Sequence, residues 1–152
     1  MTQPSRRYVF ATIAVGALAR PGGAFSAPEP RLTVWRTAGC GCCLAWVAHM
    51  ERAGYRARVI DTEDLAAVRT RYRVPDDVAA CHTALIDGYV LEGHVPAEDV
   101  RSLLLQRPPA IGLAVPGMPR GAAGMEQPDG SREGYFTLLL LDGGARRTFS
   151  RH

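Results

Sequence analysis

The apolar and polar positions change character several times along the chain. Tyr8 to Ala19 is a nearly unbroken apolar run of about twelve residues, shorter than the roughly 20 that a membrane helix needs. After a gap, Leu32-Thr33-Val34-Trp35 is rich in strand-forming residues and predicts a strand. Cys43 to Ala53 carries Leu44, Val47, Ala48 and Glu51 at helical spacing, and Gly54 supplies the stop. Tyr55 to Ile60 alternates again and predicts a second strand. Asp61 and Asp64 resemble a capping pair for a helix over Glu63 to Tyr72, with Leu65, Val68 and Tyr72 on its apolar face. Thr83 to Ile86 and Tyr89 to Glu92 flank Asp87-Gly88, a hairpin with a tight turn. Pro96 opens a third helix with Glu98 and Asp99 in its favourable first turn, burying Val100, Leu103 and Leu104.

Arg107 to Gly134 breaks this regularity with six Gly and five Pro, which predicts a long loop of functional or disordered character. Tyr135 to Leu141 and Ala145 to Phe149 then form a hairpin about Asp142-Gly143. The strand, helix, strand crossover implies a parallel pair, and the hairpins add antiparallel strands. The expected fold is α/β: a thioredoxin-like mixed sheet flanked by helices, with a C-terminal Gly/Pro-rich loop and β-hairpin.

The first 26 residues read as an address rather than as fold. Arg6-Arg7, the apolar run and the small residues of Ala24-Phe25-Ser26 form an export signal cut after Ser26. Ser5-Arg6-Arg7-Tyr8-Val9-Phe10 resembles a twin-arginine signal, and Arg20 behind the apolar run fits that route; a Sec signal is the alternative. Residues 27–152 are then a single domain in the periplasm.

Composition narrows the function. All 18 basic residues are arginine, which excludes a lysine Schiff base and a P-loop lysine. Removing residues 1–26 takes Arg6, Arg7 and Arg20 and no acid, leaving 15 basic against 15 acidic residues. No basic stripe remains for nucleic acid, and no second apolar run reaches membrane length.

The chemistry lies in Cys40-x-Cys42-Cys43 and Cys81-His82. The first cluster falls at the start of a helix, where thiolates form easily. Cys40 and Cys43 have the spacing of a redox dithiol, but Cys42 between them is more than a disulfide switch needs. Three thiolates on one turn suit a soft metal. In a thioredoxin-like fold Cys81-His82 faces that turn, so Cys40, Cys42, Cys43, Cys81 and His82 converge. Cu(I) fits such a set, bridging thiolates allow several ions, and zinc is the competitor. Disulfides remain open as an alternative, and full pairing would join Cys81 to one of the cluster cysteines. His94, Met118 and Met125 are secondary candidates. His94 is first read as a hydrogen-bonded residue at a helix start. Met50 is expected in the core, His49 in solvent, and Trp46 as a shield.

Four motifs in one order carry a resemblance. They are Cys40-Gly41-Cys42-Cys43, Cys81-His82-Thr83-Ala84, Gly88-Tyr89-Val90-Leu91-Glu92-Gly93-His94-Val95-Pro96-Ala97 and Gly112-Leu113-Ala114-Val115-Pro116-Gly117-Met118-Pro119. Together they resemble the CopG-like copper-resistance family over about residues 31 to 149. The resemblance implies a periplasmic thioredoxin-like protein that binds copper through cysteine thiolates, with Cu(I)/Cu(II) interconversion as a further activity. It carries over to Cys40, Cys42, Cys43, Cys81 and His82. Gly121-Ala122-Ala123-Gly124-Met125-Glu126 departs mildly from the family's Gly-Ser-Pro-Gly-Met-Glu stretch, a departure that replaces no expected ligand. The expected partners are copper ions and other periplasmic copper-handling proteins. The rival expectation is a thiol–disulfide oxidoreductase using Cys40 and Cys43. A third is a zinc-stabilised interaction domain.

Overall fold

The computed structural model describes residues 31–152; the export signal expected over 1–26 lies outside them. Seven strands form one mixed sheet in the order β2-β1-β3-β4-β5-β6-β7. They are β1 (Arg31–Arg36), β2 (Arg56–Asp61), β3 (His82–Ile86), β4 (Tyr89–Glu92), β5 (Gly112–Ala114), β6 (Phe136–Leu140) and β7 (Arg146–Arg151). Three α-helices are interleaved: α1 (Gly41–Arg52), α2 (Leu65–Arg71) and α3 (Ala97–Gln106). β1 pairs with β2 in parallel, and so does β4 with β5; the other neighbours are antiparallel.

Alternation along the strands sends side chains to two faces. Leu32, Val34, Ala84, Ile86, Leu91, Leu113 and Leu139 join Trp46, Val47 and Met50 of α1 and Val100 and Leu103 of α3 in the main core. Val90, Ala114 and Leu140 form a smaller cluster with Val74 and Val78, which follow α2. His82 shares the parity of Ala84 and Ile86, so it enters the main core beneath α1.

Several local expectations are revised. Asp64 caps α2 by accepting from Ala67 N at 2.8 Å, whereas Asp61 forms an ion pair with Arg36 at 2.9 Å. Arg36 also donates to Cys40 O at 3.2 Å, which ties the turn before α1 to the end of β1. The Gly/Pro-rich segment is not all loop, because it contains β5. A Cβ at Gly112 would collide with the Val90 carbonyl, so glycine is what lets β5 approach β4. No helix among the described residues is long and apolar enough to cross a membrane.

Candidate metal centre

Three elements and one loop build the site. Cys40 caps α1 without a side-chain hydrogen bond, and Cys42 and Cys43 lie in the first turn of α1. That helix end favours negative charge on sulfur. Cys81 immediately precedes β3, and His82 is its first residue. His94 lies between β4 and α3, two residues past the end of β4.

The four sulfurs stand within 4.8 Å of one another. Cys40 and Cys43 are joined as a disulfide, while Cys42 and Cys81 are free thiols. The full pairing considered from sequence is therefore not what forms. Cys42 Sγ lies 3.5 Å from Cys40 Sγ and 3.8 Å from Cys81 Sγ. Burial, and then the neighbouring Cys42 sulfur, push the Cys81 thiol up to about 12.

A second set overlaps the first. Cys81 Sγ, His82 and His94 also offer donor atoms within 4.8 Å of one another. His82 Nδ1 is 3.4 Å and His94 Nε2 3.2 Å from Cys81 Sγ. Both histidines are fully buried. Burial, and then the neighbouring His94, hold His82 down to about 3; burial also lowers His94. His94 Nδ1 lies 2.8 Å from Ala123 O. A carbonyl only accepts, so Nδ1 carries the proton and Nε2 turns its lone pair to Cys81. His82 is packed on the Trp46 ring at 4.3 Å and edge-on to His94 at 5.2 Å. Trp46 Nε1 donates to Val95 O at 2.8 Å, which fixes the indole in place.

These groups fit a metal better than they fit one another. Cys81 has one thiol proton to share between two imidazole nitrogens. His82 Nε2 is buried with no hydrogen-bond partner, a state that ordinarily carries a free-energy cost. A cation among the sulfurs would favour the Cys81 thiolate against the burial that holds the thiol protonated.

The Gly/Pro-rich loop reaches this cluster at Ala123 and Gly124, within the stretch that departs from the family's pattern. Ala123 O holds His94, and Gly124 lies so close to α1 that a Cβ there would collide with Trp46 backbone. His94 is hydrogen-bonded ahead of α3, as first read, and its other nitrogen also stands with Cys81 and His82 in a group that could hold a metal. Its position was implicit in the hairpin: counting outward from Asp87-Gly88 places His82 opposite Gly93, and Gly93 N donates to His82 O at 3.0 Å. Met118 is exposed on the loop, and Met125 sits half-buried where Gly121 N bonds its carbonyl. Met50 is in the core as expected. His49 does not face solvent freely; its Nε2 accepts from Ala97 N at 3.2 Å at the start of α3.

Sequence reasoning missed Glu92. It is fully buried, accepts from Ala80 N at 2.7 Å and from Thr83 Oγ1 at 2.6 Å, and so brackets Cys81-His82 from both sides. Burial raises its carboxyl above the usual range. An acid at the end of an apolar hairpin strand was the available signal.

A family model described as "Protein of unknown function, DUF411" matches residues 78–125, a stretch that holds Cys81, His82, His94 and Ala123. Two solved structures named "Copper resistance protein copG", Form 1 and Form 2, match with a TM-score of 0.77. They are 39% and 38% identical and cover 82% of this chain and 98% of theirs. The chain belongs to the CopG copper-resistance family. Its mixed sheet therefore matches that of the CopG relatives across nearly their whole length. No curated protein matches the chain.

Proposed function

We propose that this chain is an exported protein that captures Cu(I) through Cys40, Cys42, Cys43 and Cys81, with His82 completing the set, and so contributes to copper resistance in the periplasm. The observation that carries this reading is the convergence of four sulfurs within 4.8 Å at the start of α1. Thiolates are soft ligands that select Cu(I) over hard cations, although zinc competes for the same set. The two CopG relatives, both named for copper resistance, support copper as the cargo. Bridging thiolates allow more than one ion per chain. The strand-helix-strand start, with the Cys40/Cys43 pair at its first crossover, fits the thioredoxin-like reading. The signal over residues 1–26 supports export, and other periplasmic copper-handling proteins are the natural exchange partners.

Interconversion of Cu(I) and Cu(II) belongs to the same reading. Two Cu(II) ions and the Cys40/Cys43 dithiol balance as two Cu(I), one disulfide and two protons. Copper content of protein from copper-fed cells, measured with a free-thiol count, tests the proposal. More than one copper per chain, with thiols recovered after copper removal, is expected. No copper, together with four oxidised cysteines, rejects it.

The rival is a periplasmic thiol–disulfide oxidoreductase, favoured by the bond between Cys40 and Cys43. It gives Cys42 and the buried imidazoles no task. Full disulfide-reductase activity in Cys42→Ser would select it.

A further inference from the structure

A cation is built into the protein beneath the cysteine turn. Arg36 ends β1 and pairs across the sheet with His82. It shares the parity of Leu32 and Val34, so its side chain lies on the face that carries α1. Only 8% of it is exposed. NH1 donates to Cys40 O at 3.2 Å, and NH2 meets Asp61 Oδ1 at 2.9 Å. The guanidinium therefore stands within one residue's reach of the Cys40 sulfur. Its balancing charge lies outward, because the Asp61 side chain is half exposed. The Arg36 Nε is buried with no hydrogen-bond partner. The first turn of α1 holds no acid either, so the positive helix end adds to Arg36 in the same sense.

A buried cation whose partner faces solvent is costly, so its place calls for a reason. One reason is mechanical, since it clamps the turn. A second follows from charge. Each thiol that takes a metal gives up its proton. Around the same number of sulfurs, a Cu(I) ion leaves the site one unit more negative than a Zn(II) ion does. A fixed positive charge below the rim therefore favours the Cu(I) form by the interaction of one unit charge. The difference is the same whether the sulfurs start as thiols or as thiolates. Softness alone leaves zinc a competitor for these sulfurs, whereas charge separates the two ions.

We infer that Arg36 is a specificity-determining residue, a countercharge that favours a monovalent soft cation over a divalent one at the four-cysteine set. This deepens the copper-capture reading and rests on it. Arg36 touches no ion itself and acts through the sulfurs above it. Asp61 holds it from the solvent side, and the Thr37 and Cys40 carbonyls hold it from the turn.

The test uses reduced, metal-free protein without oxygen. Cu(I) and Zn(II) affinities are each measured by competition with a colorimetric chelator, and their ratio is the readout. A damaged turn weakens both ions together, whereas a lost countercharge shifts the ratio toward Zn(II). Arg36→Gln keeps an amide donor without the charge. It is expected to lower the Cu(I)/Zn(II) ratio by at least about tenfold, the order of one unit charge acting across a partly buried site. Arg36→Met replaces it where that variant does not fold. Arg36→Lys keeps the charge but not the fork, and is expected to hold the ratio within about threefold of wild type. Asp61→Asn keeps an acceptor for NH2 and removes the balancing charge, so the ratio is expected to stay or rise. An unchanged ratio in Arg36→Gln overturns the inference and leaves Arg36 a clamp. So does a loss in Arg36→Lys equal to that in Arg36→Gln, or a fall in Asp61→Asn. If the wild type takes up no Cu(I), the capture reading itself falls, and that failure appears before any substitution is made.

Discussion

The sulfur rim and the imidazole floor of the site are built in opposite ways. Cys40, Cys42 and Cys43 come from one turn at the start of α1, and their arrangement is nearly a local property of that turn. His82 and His94 lie on the two ends of a hairpin, beneath Trp46, and His94 is held by a carbonyl from the distant Gly/Pro-rich loop. Cys40 and Cys42 are partly open to solvent, whereas both imidazoles are fully buried. The floor cannot be altered without disturbing the core. Cys81 joins the two and belongs to both.

Removing that junction has the largest expected effect. Cys81→Ser takes a sulfur from the four-cysteine cluster, so the reduced variant is expected to hold less Cu(I) than wild type under a competing chelator. Metal analysis after gel filtration measures this. Wild-type loading would mean that the rim works without the floor.

Gly124→Ala attacks the floor from outside. Gly124 has φ +77° and lies against Trp46 backbone, so a methyl there faces both strain and collision. A loss of about 1–3 kcal/mol in urea unfolding is expected. An unchanged unfolding midpoint would show that the loop does not brace the site.

Acid separates the two regions further. In the metal-free protein His82 is held near 3, while an unfolded histidine titrates near 6.5. Between those values the unfolded chain binds a proton that the folded chain does not. Stability therefore falls as pH drops from about 6.5 toward 3, by up to about 1.4 kcal/mol per pH unit for that histidine. The lowered His94 acts in the same direction. Cys81 acts at the other end. Its raised pKa means that stability is lost as pH rises from about 9 toward 12. Urea midpoints across pH test both signs, and a flat acid limb would remove the buried neutral imidazoles from this account.

The smallest effect is a control away from the site. Asp64→Ala removes the cap of α2 and is expected to cost about 1 kcal/mol with copper uptake unchanged.

Most elements were legible because each rests on local signals. Alternation marked the strands, Asp64 and Pro96 marked helix starts, and Asp87-Gly88 marked the hairpin. β5 was hidden because three residues in a Gly- and Pro-rich stretch carry no periodicity, and only the approach of Gly112 to Val90 makes them a strand. The chain by itself determined the sulfur rim, since thiols two and three residues apart at a helix start have little freedom to be elsewhere. It also determined that His82 lies next to Cys81. Tertiary structure alone decided that Ala123 reaches His94 and that Glu92 brackets the Cys81-His82 turn. Those contacts join residues far apart in the chain, and their geometry exists only once the sheet has brought β3, β4 and the loop against α1.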